Sequence, residues 1–242
     1  MHILENVFEK PSLDELLEAE QNSSQYKSLH KLHIRMRDNP LFLELIFINA
    51  LLCYQLSSSW EAYWEEFCLY IIETWNFHLS EWNIQASQWK LSDQIQDFFT
   101  NFLPASVWNK RLVPTKLKRL EKILSFTSDS LRWSERFYYE NMLQLRDETA
   151  RHMKQKLNAK TINFAIMMFW YASRIYFWKT IIFSDELCIP IDSRLQRLQK
   201  NLTWNTENSL EFFADYADQI WVPVLHLDAF IWGKANNISW LL

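Results

Sequence analysis

A chain of 242 residues with 49% hydrophobic and 22% charged side chains is long enough to bury a sizeable core and is neither disordered nor fibrous. A single glycine (Gly233) and 6 prolines leave little of the turn chemistry that a many-stranded sheet requires, which points to an all-α chain. The net charge of −4 argues weakly against nucleic acid, and 3 scattered cysteines without a C-x-x-C pair argue against disulfides and against a zinc or iron–sulfur site.

In chain order, Pro11-Ser12-Leu13-Asp14-Glu15 places proline and acidic groups in the first turn of a helix. Asn39-Pro40 opens an apolar run from Leu41 to Leu56, and Ser57 to Ser59 form a polar break. From Trp60 to Phe77 aromatic side chains recur at helical spacing (Trp60, Tyr63, Trp64, Phe67, Ile71). Further helices are expected at 92–103, 114–126, 131–157, 160–179, 206–221 and 227–234. No repeat, low-complexity stretch or compositional shift marks a linker. The expectation is one all-α domain over residues 1–242, in one lobe or two with the active site between them.

Ile162 to Phe183 is long enough to span a bilayer, but it carries Asn163, Arg174 and Lys179. Charges near a helix centre cost about 2.5–3.5 kcal/mol each on insertion, so this stretch reads as a buried core helix and no membrane is expected. The N-terminus has neither a basic region nor an apolar one behind it, which gives the expectation of an intracellular protein.

Charge distribution says more than net charge. Lys110, Arg111, Lys116, Lys118, Arg119 and Lys122 form one basic run, and Arg146, Arg151, Lys154, Lys156 and Lys160 form a second. Such runs are solvated helix faces or a phosphate-facing surface. The second leads through Leu157-Asn158-Ala159 into Lys160-Thr161-Ile162-Asn163, which reads as a helix, a very short turn and a second helix. The start of that second helix offers free N–H groups and a positive dipole end to phosphate. That field, Lys154, Lys156 and partial burial would all push the Lys160 amine toward its neutral, nucleophilic form. Residue type alone leaves Lys160 one lysine among many. Downstream, Pro190 holds Cys188-Ile189 extended and Asp192 stands where a helix N-cap belongs, ahead of Leu195 and Leu198. A carboxylate locked in that way also suits the stabilisation of a cationic sugar.

The string Asn158-Ala159-Lys160-Thr161-Ile162-Asn163-Phe164-Ala165, then Tyr171-Ala172-x-Arg174 and Ile189-Pro190-Ile191-Asp192-x-Arg194, resembles the archaeal-type 8-oxoguanine DNA glycosylases (AGOG), a branch of the helix–hairpin–helix glycosylases. Asn49-Ala50-Leu51-Leu52-Cys53-Tyr54-Gln55-Leu56-Ser57, Tyr63-Trp64-Glu65-Glu66-Phe67 and His226-Leu227-Asp228-Ala229-Phe230-Ile231-Trp232 resemble the same family in the same order. The resemblance implies a bifunctional glycosylase and lyase of the helix–hairpin–helix architecture acting on DNA containing 8-oxoguanine; a monomer is expected, and such chemistry requires no cofactor. It implies Lys160 as the Schiff-base nucleophile and Asp192 as the carboxylate that assists base loss. Phe164 and Trp232 would sandwich the extruded base, while Gln55 and Asp228, read as buried polar groups on apolar helices, would read its edge.

Two positions depart from the family pattern. Met167 stands where a lysine is common, which leaves lesion preference open, and the hairpin turn has no glycine, so Asn158 is expected to supply left-handed geometry. A non-catalytic helix–hairpin–helix DNA-binding module would retain the basic runs without needing Lys160, Asp192 and Asp228 together. A purely structural helical domain would need neither, and a glycosylase for another damaged base would keep both.

Overall fold

A computed structural model of the chain describes residues 4, 8, 10–37, 39–57, 59–74, 88–205 and 207–235. Among them are 12 α-helices and no strand. In chain order these are α1 (Leu13–Asn22), α2 (Ser24–Met36), α3 (Phe42–Leu52), α4 (Trp60–Thr74), α5 (Gln88–Ala105), α6 (Val113–Phe126), α7 (Glu135–Glu140), α8 (Met142–Met153), α9 (Lys160–Phe177), α10 (Ser193–Thr203), α11 (Ser209–Ile220) and α12 (Leu227–Ala235). The end expected for the fourth helix, 75–77, lies outside the described residues.

Two apolar clusters form the interior. The larger is organised around the pairing of α3 with α9. Every residue of α3 is buried, as are Ile162 through Ile175 of α9, so both helices are apolar on all sides because protein covers all sides. Among the described residues no helix is long and apolar enough to cross a membrane. Two polar side chains inside α3 are held by hydrogen bonds, with Asn49 Nδ2 left unpartnered among the described residues. Glu44 receives two hydrogen bonds from Arg132, at 2.6 and 2.8 Å, and Asn49 Oδ1 accepts from the Tyr63 hydroxyl. The smaller cluster joins Leu4, Phe8 and Leu16 to α10, α11 and α12.

A buried triad ties these parts together. Glu20 of α1 accepts from His226 Nδ1 at 2.7 Å and from Arg174 of α9 at 3.3 Å. His226 Nε2 accepts from the Phe183 backbone N–H at 3.2 Å, so a neutral ring with its proton on Nδ1 satisfies both neighbours. Burial raises the Glu20 carboxyl above its ordinary range, against the pull of His226 and Arg174.

Local chemistry sets the helix ends. Ser12 caps α1 in a reciprocal box with Glu15. The helix expected across 131–157 is two helices, α7 and α8, preceded by a π turn at Thr127–Leu131. Ser134 (φ −133°) and Asn141 (φ −132°) leave helical geometry, and the Asn141 amide donates to the Phe137 carbonyl at 2.8 Å. A short polar side chain competing for a backbone carbonyl is what ends α7. The helix α2, which the sequence pattern did not disclose, is capped by the Ser23 hydroxyl, a 3.2 Å acceptor for Tyr26 N–H.

Candidate active site

Lys160 opens α9, and Ala159 precedes it in extended geometry with no side-chain cap, so no side chain caps the first N–H groups of the helix beside the lysine. The preceding hairpin differs from expectation. Helix α8 stops at Met153, and Lys154, at φ 54° and ψ 47°, supplies the left-handed residue; Asn158 is not among the positive-φ positions. The turn therefore runs over 154–159. Asn163 closes it from inside, donating to the carbonyls of Leu157 and Ala159 at 2.9 and 3.2 Å. The same side chain accepts from Cys188 N–H at 3.3 Å, which ties the hairpin to the segment leading to Asp192.

Asp192 caps α10. Its Oδ1 accepts from the N–H groups of Arg194 and Leu195 at 2.9 and 3.0 Å, and its Oδ2 from Arg194 Nε at 3.2 Å. Three donors fix the carboxylate in one orientation. It lines, with Lys160, a cavity of about 550 Å³ that also takes in Tyr54, Gln55, Trp60 and Arg194. Lys160 is half-buried. Burial is the main cause that lowers its pKa, Arg194 adds to it, and Asp192, Cys53 and Asp228 oppose it. Lys154 and Lys156, expected to contribute, are exposed side chains outside that set. The cation that bears on Lys160 is Arg194, brought in by the α10 cap.

Gln55 is not a buried group on a helix. Helix α3 ends at Leu52, and Gln55 is an exposed loop residue at φ 51°. Beneath that loop, the Asn109 amide donates to the Leu52 carbonyl at 3.4 Å and to the Tyr63 hydroxyl at 2.9 Å. Lys116 donates in turn to Asn109. Lys116 is thus buried, with its pKa lowered by burial to about 8, and is no part of a phosphate-facing surface. Arg146 is likewise drawn inward, to Asp147 and the Glu186 carbonyl. Lys110, Arg111 and Lys118 of the first run and Arg151, Lys154 and Lys156 of the second remain exposed.

Phe164, Trp232 and Asp228 meet in a neighbouring cleft with Trp60, Glu61, Gln25, Pro190, Asp192 and Arg194. Its free space is only about 20 Å³, because two side chains fill it. Trp60 stands edge-on against Phe164 with centroids 3.7 Å apart and lies 4.7 Å from the Lys160 amine. The Arg194 guanidinium lies 4.1 Å over the Trp232 ring. Beyond them a second cavity of about 350 Å³ is lined by Met167, Tyr171, Asp228, Trp232, Gln25 and Glu61. Asp228, in the first turn of α12, accepts a hydrogen bond from the Trp232 side chain; burial, then Asp192, raises its carboxyl to about 7. Trp60, Gln25 and Glu61 carried no chemical signal in the sequence. Trp60 read as one more aromatic at helical spacing, and Gln25 lies on the helix that was not foreseen.

The chain matches the family model described as AGOG, N-glycosylase/DNA lyase, over residues 5–240. This chain belongs to the AGOG family. The N-glycosylase/DNA lyase of Methanococcus maripaludis is 32% identical over 213 residues, which cover 88% of this chain and 78% of that protein. The protein of the same name from Thermococcus kodakarensis is 33% identical over 209 residues, 86% of this chain and 73% of its own length. The fold matches that of the AGOG 8-oxoguanine DNA glycosylase from Pyrobaculum aerophilum, solved in complex with 8-oxoguanosine, with a TM-score of 0.70 at 20% identity over 96% of this chain and 86% of that one. The AGOG pattern thus extends from the N-terminal helices to α12.

Proposed function

We propose that this AGOG enzyme excises 8-oxoguanine from DNA and nicks the strand, acting as a monomer with Lys160 as nucleophile. The observation that carries the reading is one cavity lined by both a lysine of lowered pKa and a carboxylate fixed by three donors. The neutral Lys160 amine attacks C1′ of the damaged nucleotide as the glycosidic bond breaks, and the base leaves with the bonding pair and takes up a proton. Asp192 stabilises the positive charge that develops on the sugar. Opening of the sugar ring yields an imine between C1′ and Lys160. Loss of a C2′ proton then expels the 3′ phosphate by β-elimination, and water releases the lysine.

The base must leave the helical stack to reach these groups. Phe164 and Trp232 are the two aromatic faces that would receive it, which requires Trp60 and Arg194 to leave the cleft between them. Asp228 and Gln55 would read its edges. Met167, 2% exposed, offers that edge a soft apolar contact and no charge. Incubation with end-labelled duplex containing one 8-oxoguanine tests the reading. It predicts free 8-oxoguanine together with a strand ending in an unsaturated aldehyde on the 3′ side. Binding without base release would favour the non-catalytic DNA-binding module, and release of a different damaged base would move the lesion assignment.

A further inference from the structure

Three of the helices end in a way that tryptophan does not explain. Helices α9, α10 and α11 are each closed by a left-handed residue, and in each case it is tryptophan: Trp178 (φ 54°, ψ 32°), Trp204 (φ 62°, ψ 11°) and Trp221 (φ 59°, ψ 45°). Among the described residues two other helices close on a residue of positive φ, α8 at Lys154 (φ 54°, ψ 47°) and α2 at Arg37 (φ 42°, ψ −121°). Left-handed backbone crowds a Cβ at roughly 1–2 kcal/mol per residue, and glycine is the residue that usually closes a helix in this way.

A bulky side chain tolerates such strain when packing offsets it. Here little offsets it, because Trp178, Trp204 and Trp221 are 79%, 88% and 89% exposed, and Trp178 has only an edge contact with the His33 ring at 6.5 Å. The capping itself is done by backbone. Trp204 N–H donates to the Lys200 carbonyl, and Trp221 N–H to those of Ala217 and Asp218. Glycine would make the same bonds without the strain.

Composition points the same way. The chain has 13 tryptophans and 1 glycine, where ordinary usage of about 7% would put roughly 17 glycines in this length. A fourth tryptophan is misplaced within the site. The Trp60 and Phe164 centroids are 3.7 Å apart, closer than the usual range of about 4.5–7 Å. Trp60 also lines both the cavity of Lys160 and the filled cleft of Phe164 and Trp232. A residue without a side chain there would join the two into one space, with the nucleophile at one end and the aromatic faces at the other.

We infer that Trp60, Trp178, Trp204 and Trp221 stand at glycine positions, and that the cell which makes this enzyme reads their codons as glycine. UGA is the codon that makes this chemically coherent, since different genetic codes read it as stop, tryptophan or glycine. Read as tryptophan, it both removes glycine and adds tryptophan at the same places. The working enzyme then has three unstrained helix ends and an open lesion slot. The three helix ends stand independently of the enzymatic reading; only the consequence at position 60 rests on it.

Peptide mass spectrometry of the protein purified from its own cells decides the matter. Peptides covering positions 60, 178, 204 and 221 should carry glycine, while those covering Trp64 and Trp232 should carry tryptophan. Tryptophan at all four positions overturns the inference. In recombinant protein, the combined Trp178→Gly, Trp204→Gly and Trp221→Gly variant should melt higher by roughly 6–12 °C, at about 2–4 °C for each relieved position; an unchanged or lower midpoint argues against it. Trp60→Gly on that background should increase excision of 8-oxoguanine at least tenfold. If mass spectrometry finds glycine at position 60 and this variant still excises nothing, the codon assignment stands and the lesion assignment fails.

Discussion

Asp228→Asn separates what the lesion pocket needs from what the fold prefers. The folded carboxyl titrates at about 7 against an ordinary 3.8, chiefly because it is buried, with Asp192 adding to the effect. A carboxyl whose folded pKa is raised contributes stability that is fully present below pH 3.8 and lost as the pH rises through about 7. The whole difference amounts to about 4 kcal/mol at about 1.36 kcal/mol per tenfold. That figure already includes the opposing hydrogen bond from Trp232 and the Arg194 and Lys160 charges; local relaxation and water entry reduce the cost of a buried charge, and about half of it, roughly 2 kcal/mol, is expected at pH 8. An asparagine keeps an acceptor for Trp232 and never ionises. The variant should therefore match the parent at pH 4 and exceed it at pH 8, by roughly 4–8 °C in melting temperature for a chain of this size. Thermal unfolding at pH 4, 6 and 8 measures the difference. A gain that is the same at every pH, or a loss at pH 8, would refute the claim that Asp228 is held ionised against its environment. The same variant should lose lesion excision, since the amide's own N–H group faces the base's N–H donors.

Asp192→Asn should slow base removal by about 100-fold or more while unfolding within about 1 kcal/mol of the parent, because asparagine caps a helix as well as aspartate does; single-turnover kinetics and urea denaturation read the two effects separately. Arg132→Leu leaves Glu44 buried without its two hydrogen bonds and should destabilise the chain by about 3–5 kcal/mol, visible as a lowered urea midpoint. Burial lowers the pKa of Lys160, so imine formation should rise with pH and level off below the pH at which an ordinary lysine would; a rate still climbing through that of free lysine would contradict the assignment.

The amphipathic and apolar periods reported the long helices well, since α3, α4, α6 and α9 bury faces wide enough to leave a pattern. The break at Asn141 depends on one side chain competing for one carbonyl, and α2 is polar enough that its cap at Ser23 is its main signal. The placement of Lys160 and Asp192 at helix starts was legible because its local chemistry is written in adjacent residues; the roles proposed for them came from the family resemblance. Gln55 was read onto a helix that ends at Leu52, because the groups that hold that end, Asn109 and Lys116, come from far along the chain. For the same reason a run of positive charge could not tell Lys116, turned inward, from Lys118, turned outward. The division of the site by Trp60 is a matter of tertiary packing between α4 and α9, on which residue type is silent.

Reduction of the reaction mixture with borohydride tests the central claim most directly, using duplex DNA with one 8-oxoguanine and the chain carrying either tryptophan or glycine at position 60. The account predicts a covalent enzyme–DNA adduct, stronger for Trp60→Gly, that disappears with Lys160→Ala and maps to Lys160 by peptide sequencing. An adduct that survives Lys160→Ala, or DNA binding by both chains with no adduct, would contradict it.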